Sequence, residues 1–144
     1  MIESPNIPGA SDVTSWFGDW PTFHDAEVLS IQLDRLRGCE VVIHAFNMTS
    51  EVDAAGRYVL TKHALVTFRL EGFPQDEAGI VNTRIEGFNQ QNVLSSASIH
   101  DRSGSYELRL KAIYGADCSI ICNRMSVTLE PGIPTGSVYQ PSHP

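Results

Sequence analysis

From residue 26 onward the chain reads as one strand after another, most of them joined by connections too short to cross a sheet. Residues 26–36 (AEVLSIQLDRL) alternate, with Leu29, Ile31 and Leu33 facing one way and Ser30, Gln32 and Asp34 the other. That period of two marks a strand with one wet face. Residues 40–47 (EVVIHAFN) are β-branched and apolar on both faces, which predicts a central strand. Residues 58–71 place Leu60, Ala64, Val66, Phe68 and Leu70 on one side. A weaker strand at 79–88 and a further strand at 92–100 flank a turn at Asn89-Gln90-Gln91, and Asp101-Arg102-Ser103-Gly104 is good hairpin chemistry. In residues 105–114, Tyr106, Leu108, Leu110 and Ala112 alternate with Glu107, Arg109 and Lys111. Gly115-Ala116-Asp117 turns the chain again, and residues 118–130 close the domain with Met125, Val127 and Leu129 on one face. Connections of two to four residues force antiparallel neighbours. The expected fold is mainly β, with α+β as the alternative: an antiparallel meander sheet of about seven strands, open or curled.

One helix precedes the strands. Val13, Trp16 and Phe17 share a face, Ser11 or Asp12 is placed to cap it, and Gly18 stops it. Residues 1–10 carry Pro5, Pro8 and Gly9 and read as a flexible N-terminus. Residues 131–144 carry four prolines and two glycines and read as a tail, which leaves 11–130 as a single β-rich domain. Two longer connections, 48–57 and 72–78, both carry acids, and long loops on a rigid sheet are where binding residues gather.

The net charge of −7 is localised. Residues 1–53 hold nine acids and two bases, whereas residues 54–144 hold eight of each. Ten basic residues in all argue against nucleic-acid binding, which needs Lys and Arg on phosphates. An acidic first third steers basic partners, and also serves plain solubility. No apolar run approaches the roughly 18 residues of a membrane helix. The N-terminus has no basic start and no apolar stretch, so a cytoplasmic protein is expected. Cys39, Cys118 and Cys122 are odd in number and match no metal spacing, so they read as small buried hydrophobes.

The densest polar cluster is Trp20-Pro21-Thr22-Phe23-His24-Asp25-Ala26-Glu27. Its His-Asp pair is similar to that of HD-type metal phosphohydrolases. Those also need a His upstream on a helix, and His24 is the first histidine here. His44, His63 and His100 lie in or beside strands with no His-x-His spacing, and each reads as a half-buried side chain with a backbone partner. No nucleophile elbow and no phosphate-binding glycine loop occurs. Trp20 and Phe23 read as plugs at the end of a β core, with His24 and Asp25 satisfying loop backbone.

The segment SWFGDWPTFHDAEVLSIQLDR resembles the N-terminal motif of the immunity protein 50 family of bacterial polymorphic toxin systems. The motif is carried by Trp20, Pro21, Thr22, Phe23, His24, Asp25, Ala26, Glu27 and Val28. A second stretch, IEGFNQQNVLSSASIH, is similar to the family's Phe-Asn-x-Gln-Asn-Val run through Phe88, Asn89, Gln91, Asn92 and Val93. CSIICNRMSVTLEPG fits its last strand, so the resemblance spans roughly residues 16–132.

The resemblance implies a small non-catalytic protein, without cofactor or metal, that binds a cognate toxin encoded nearby and neutralises it by stoichiometric occlusion. It implies a structural role for Trp20, Phe23, His24, Asp25, Glu27, Asn89 and Asn92. The acidic first third suits a basic, nuclease-like toxin, with Asp19, Asp34, Glu51, Asp53, Asp76 and Glu77 as candidate contacts. Monomer and homodimer both remain open. The alternative is a small metal-dependent hydrolase or metal-binding module using His24, Asp25 and Glu27. A β module holding an apolar ligand inside a curved sheet is a third reading, with no sign for or against it.

Overall fold

The structure, a computed structural model, describes residues 3–137. One helix, α1 (Ala10–Phe17), precedes eight strands. These are β1 (Glu27–Gln32), β2 (Cys39–Val52), β3 (Tyr58–Glu71), β4 (Ile80–Ile85), β5 (Val93–Asp101), β6 (Tyr106–Tyr114), β7 (Ala116–Cys122) and β8 (Arg124–Pro131). All pair antiparallel in one sheet of order β4-β7-β6-β5-β1-β2-β3-β8. The mainly β, antiparallel expectation therefore holds. The eighth strand arises because the last apolar run, expected as one strand over 118–130, divides at Asn123.

That division shapes the molecule. β7 is second in the order and β8 is last, six strand intervals away. In a flat sheet they would stand about 29 Å apart. A single intervening residue spans only about 7 Å. The sheet must therefore fold over on itself. It bends where β1 meets β5 through one ladder pair, Glu27↔Val93. It closes at the corner, where the Asn123 N–H donates to the carbonyls of Glu71 and Gly72. Two four-stranded leaves result, β1-β2-β3-β8 and β5-β6-β7-β4, and the sheet stays open with β4 and β8 as its edges.

One apolar core joins the leaves. Val41, Ile43, Val66, Phe68, Leu70, Met125 and Val127 come from the first, and Leu94, Leu108, Leu110, Cys118 and Ile120 from the second. Full burial of each large side chain contributes roughly 1.5–3 kcal/mol. α1 adds Val13 and Phe17 and packs on β8 and β3. Its end at Gly18 is as expected: the glycine is left-handed and its N–H donates to the Thr14 carbonyl. Its start differs from expectation. The helix begins at Ala10 with Gly9 at the cap and no side-chain capping bond, so Ser11 and Asp12 lie inside the first turn. Ile7 is buried, and the Pro8 carbonyl accepts from Val127 N–H along the edge of β8. Residues 138–144 of the expected tail lie outside the described residues.

Two further expectations are corrected. The alternation over 26–36 breaks at a bulge between Val28 and Ser30, and the strand ends at Gln32, which leaves Leu33 exposed. Half of the expected loop 48–57 is strand, because β2 runs to Val52 and only a tight turn over 53–57 remains. Cys39, Cys118 and Cys122 are free and buried, as small hydrophobes are. Burial first, with Asp117 and Cys39 nearby, pushes the Cys118 thiol up to about 11. Burial and Cys39 push Cys122 up to about 12.

Candidate functional site

The motif around residues 20–28 sits at the bend between the two leaves. Trp20 and Phe23 are buried and meet Phe68 of β3 edge-on, with ring centroids 5.8–6.4 Å apart. Such aromatic trios hold elements at fixed angles. Phe23 and Asp25 both adopt positive φ, 63° and 65°, a conformation that costs energy for residues other than glycine. The backbone bonds show what holds them there. Asp25 N–H donates to the Leu94 carbonyl, Leu94 N–H to that of Ala26, and Ala97 N–H to that of Thr22. The kinked segment thus stitches the start of β1 to β5. His24 points outward, with its Nδ1 3.2 Å from the Asp25 carboxylate.

Glu27 turns the other way, into the leaf. Its Oε1 lies 2.6 Å from Nδ1 of His44, directly opposite on β2, and His44 is fully buried. Nε2 of His44 lies 2.9 Å from Nδ1 of His63 on β3, and the two rings stack. The Ser137 hydroxyl donates to the same Glu27 oxygen and lies 3.5 Å from His44 Nδ1. A carboxylate only accepts, so His44 Nδ1 carries the proton between them. In the neutral ring Nε2 is bare and accepts from His63 Nδ1–H. Burial first, and then the electrostatic influence of the neighbouring His44, hold His63 below the ordinary histidine range. The result is a satisfied polar line across three strands, of the kind that is costly only when broken. A serine beside a His–Glu pair invites comparison with a nucleophile relay. Here the hydroxyl donates to the carboxylate, while the nitrogen that would take its proton faces His63.

His44 departs from expectation: it is fully buried rather than half-buried, with the side chains of Glu27 and His63 among its partners. His63 is half-buried and has the expected backbone partner, Leu60, beside its bond to His44. The pairing of Glu27 with His44 depends on the β1–β2 register, which no local spacing displays. The one available signal was a histidine in a strand apolar on both faces. His24, Asp25 and Glu27 do not converge, because Glu27 faces the core and His24 faces solvent. Among the described residues no three of His, Cys, Asp and Glu come together as metal ligands would.

Asn92 is a second junction. Its Nδ2–H donates to the Val28 carbonyl, and its Oδ1 accepts from Ala116 N–H, so one buried amide ties β1 to the β6–β7 turn. Gly115 permits this: a Cβ there would lie 2.1 Å from Asn92 Oδ1. Asn89 is exposed in the turn before β5.

The six candidate acids fall at two opposite ends of the leaves. Asp34 sits in the β1–β2 turn, where its carboxylate accepts from Leu36 and Arg37 N–H, and those bonds hold it below the usual carboxylate range. Asp76 and Glu77 lie in the β3–β4 connection at that same end. Glu77 grips Arg102 through two bonds of 2.8 Å. Glu51 and Asp53 lie at the tip of the β2–β3 hairpin, at the other end. Asp19 follows α1, whose last carbonyl, that of Phe17, accepts from Asn47 of the same hairpin.

Among the described residues no helix is long and apolar enough to cross a membrane. No curated protein and no solved structure matches the chain. The sequence profile of the family described as Immunity protein 50 matches residues 9–130, which take in α1, the bend motif, the Glu27–His44–His63 line and almost all of the last strand, and the chain belongs to that family.

Proposed function

We propose that the protein binds a cognate toxin domain in the cytoplasm and neutralises it by stoichiometric occlusion, without catalysis. The observation that carries this reading is membership of an immunity protein family over nearly the whole described chain. The charge pattern supports a basic partner. Four carboxylates beyond residue 53, Glu71, Glu77, Glu86 and Glu107, each lie against an arginine. Of the first third, Glu40 alone does so among the described residues. Glu3, Asp12, Asp19, Asp34, Glu51 and Asp53 hold no ion pair there, so the field of that third is left for a partner. The bend motif and Asn92 are architecture on this reading: they fix the two leaves, and the toxin meets other surfaces.

The test is co-expression with the toxin domain encoded by the neighbouring gene. Rescue of growth and co-purification at one-to-one stoichiometry are expected. Cell death in the presence of a folded chain and a folded toxin would overturn the reading.

A further inference from the structure

The β2–β3 hairpin is longer than the leaf it belongs to. β1 covers β2 no further than His44, and β8, with the Gly132 N–H that follows it, covers β3 no further than His63. Past those pairs the two strands run on alone through Asn47↔Thr61, Met48↔Leu60 and Val52↔Tyr58. At about 3.3 Å per residue this arm reaches roughly 20 Å beyond its leaf. Among the described residues no other strand pairs with either of its outer edges. A bare two-stranded ribbon is marginal in water, and natural proteins usually blunt such edges.

This arm is not blunted. Met48, Val52 and Tyr58 are 50%, 57% and 58% exposed. Met48, Tyr58, Leu60 and Arg57 line a groove of about 390 Å³ that runs back toward the bend motif. Asp19 stands near its root, where Trp16 Nε1–H donates to the Lys62 carbonyl and Asn47 to that of Phe17. Glu51 and Asp53 stand at its tip. Lys62 is spoken for, with its ammonium 4.6 Å above the Trp16 ring. The arm and its root thus carry three acids, Asp19, Glu51 and Asp53, against one further base, Arg57.

The opposite end of the molecule also exposes apolar side chains, Leu33 and Leu36. There, however, Arg35, Arg37 and Arg102 stand among Asp34, Asp76 and Glu77, and the charges cancel.

We infer that the β2–β3 arm is the surface that docks on the toxin, with Met48, Val52 and Tyr58 as apolar anchors and Asp19, Glu51 and Asp53 as the charges that select a basic partner. This rests on the immunity reading above and adds to it the place of contact. Its form is that of a tight interface: a few apolar anchors ringed by charge, with unpaired backbone at hand for an extended segment of the partner.

The test compares the two ends of one protein against one probe, a catalytically inactivated toxin domain expressed from the neighbouring gene. All substituted side chains are surface-exposed, and urea midpoints check that each variant folds. Met48→Asp with Tyr58→Asp is expected to weaken binding by about 100-fold. Leu33→Asp with Leu36→Asp is expected to change it by less than about threefold. Asp19→Lys with Glu51→Lys is expected to slow association about tenfold at low salt and to flatten its salt dependence. Loss of binding in the Leu33/Leu36 variant with retention in the Met48/Tyr58 variant overturns the arm assignment and leaves the immunity reading standing. A wild-type dimer that the Met48/Tyr58 variant dissociates gives the arm to a second copy and also overturns it. A wild-type chain that neither binds nor protects removes the immunity reading itself, and this inference with it.

Discussion

The lower and upper halves of the β2–β3 hairpin are built from similar residues and have opposite fates. Below, over Cys39–Ala45 and Ala64–Leu70, Val41, Ile43, Val66 and Phe68 are wholly buried. Above, Met48, Val52 and Tyr58 lie more than half in water or close to it. Both strands run unbroken from one half into the other. What changes is the company: β1, β8 and the second leaf cover the lower half and stop. A register shift after Ala45 and the positive φ of Lys62 mark the change, and a bulge there adds twist that carries the arm away. Burial in a sheet is thus conferred by neighbours and not by the strand's own composition. The Glu27–His44–His63 line lies at the boundary, where the covered half ends.

The largest expected contrast is between the two halves themselves. Phe68→Ala opens a cavity under Trp20 and Phe23 and should cost about 3–5 kcal/mol in urea unfolding. Tyr58→Ser on the arm should stay within about 0.5 kcal/mol of wild type. Equal losses would break the distinction. Next comes the boundary. His44→Ala removes the imidazole partner of the Glu27 carboxylate beneath the surface and should cost about 3 kcal/mol. Adding Glu27→Gln to that variant should recover part of the loss, and a double-mutant cycle with strictly additive costs would show that the two residues do not act as a unit.

The smallest effect is in pH. His63 binds its proton more weakly in the folded protein than in the unfolded chain, where histidine titrates near 6.5. Its neutral form therefore favours folding fully above that value, and the contribution shrinks as pH falls through 6.5 toward the folded value. Urea midpoints should fall between pH 7 and pH 5, and His63→Gln should lessen the slope. An unchanged slope would place the titration elsewhere.

Much of this molecule was legible along the chain because it is local. The alternation of Leu108 and Leu110 with Glu107 and Arg109 declares a strand and its wet face. Asp101 announces its turn, and its carboxylate accepts from Ser103 N–H. The Trp20–Glu27 segment stood out as dense and aromatic. Its backbone strain at Phe23 and Asp25 did not, since positive φ at non-glycine residues is imposed by the bonds to Leu94 and Ala97, seventy residues on. The polar line escaped for the same reason: Glu27, His44 and His63 are separated by 17 and 19 positions.

By itself the sequence determined a strand-rich antiparallel chain, a helix ended by Gly18, three buried thiols and an acidic first third. Each follows from periodicity, turn chemistry or arithmetic on neighbouring residues. The tertiary structure alone decided that Asn123 is a corner, that the sheet folds into two leaves, that Glu27 meets His44, and that half of a well-patterned hairpin stands uncovered. Those outcomes depend on which distant strands come alongside and where they stop. A period of two says which side chains share a face, and it carries no information about what, if anything, covers that face.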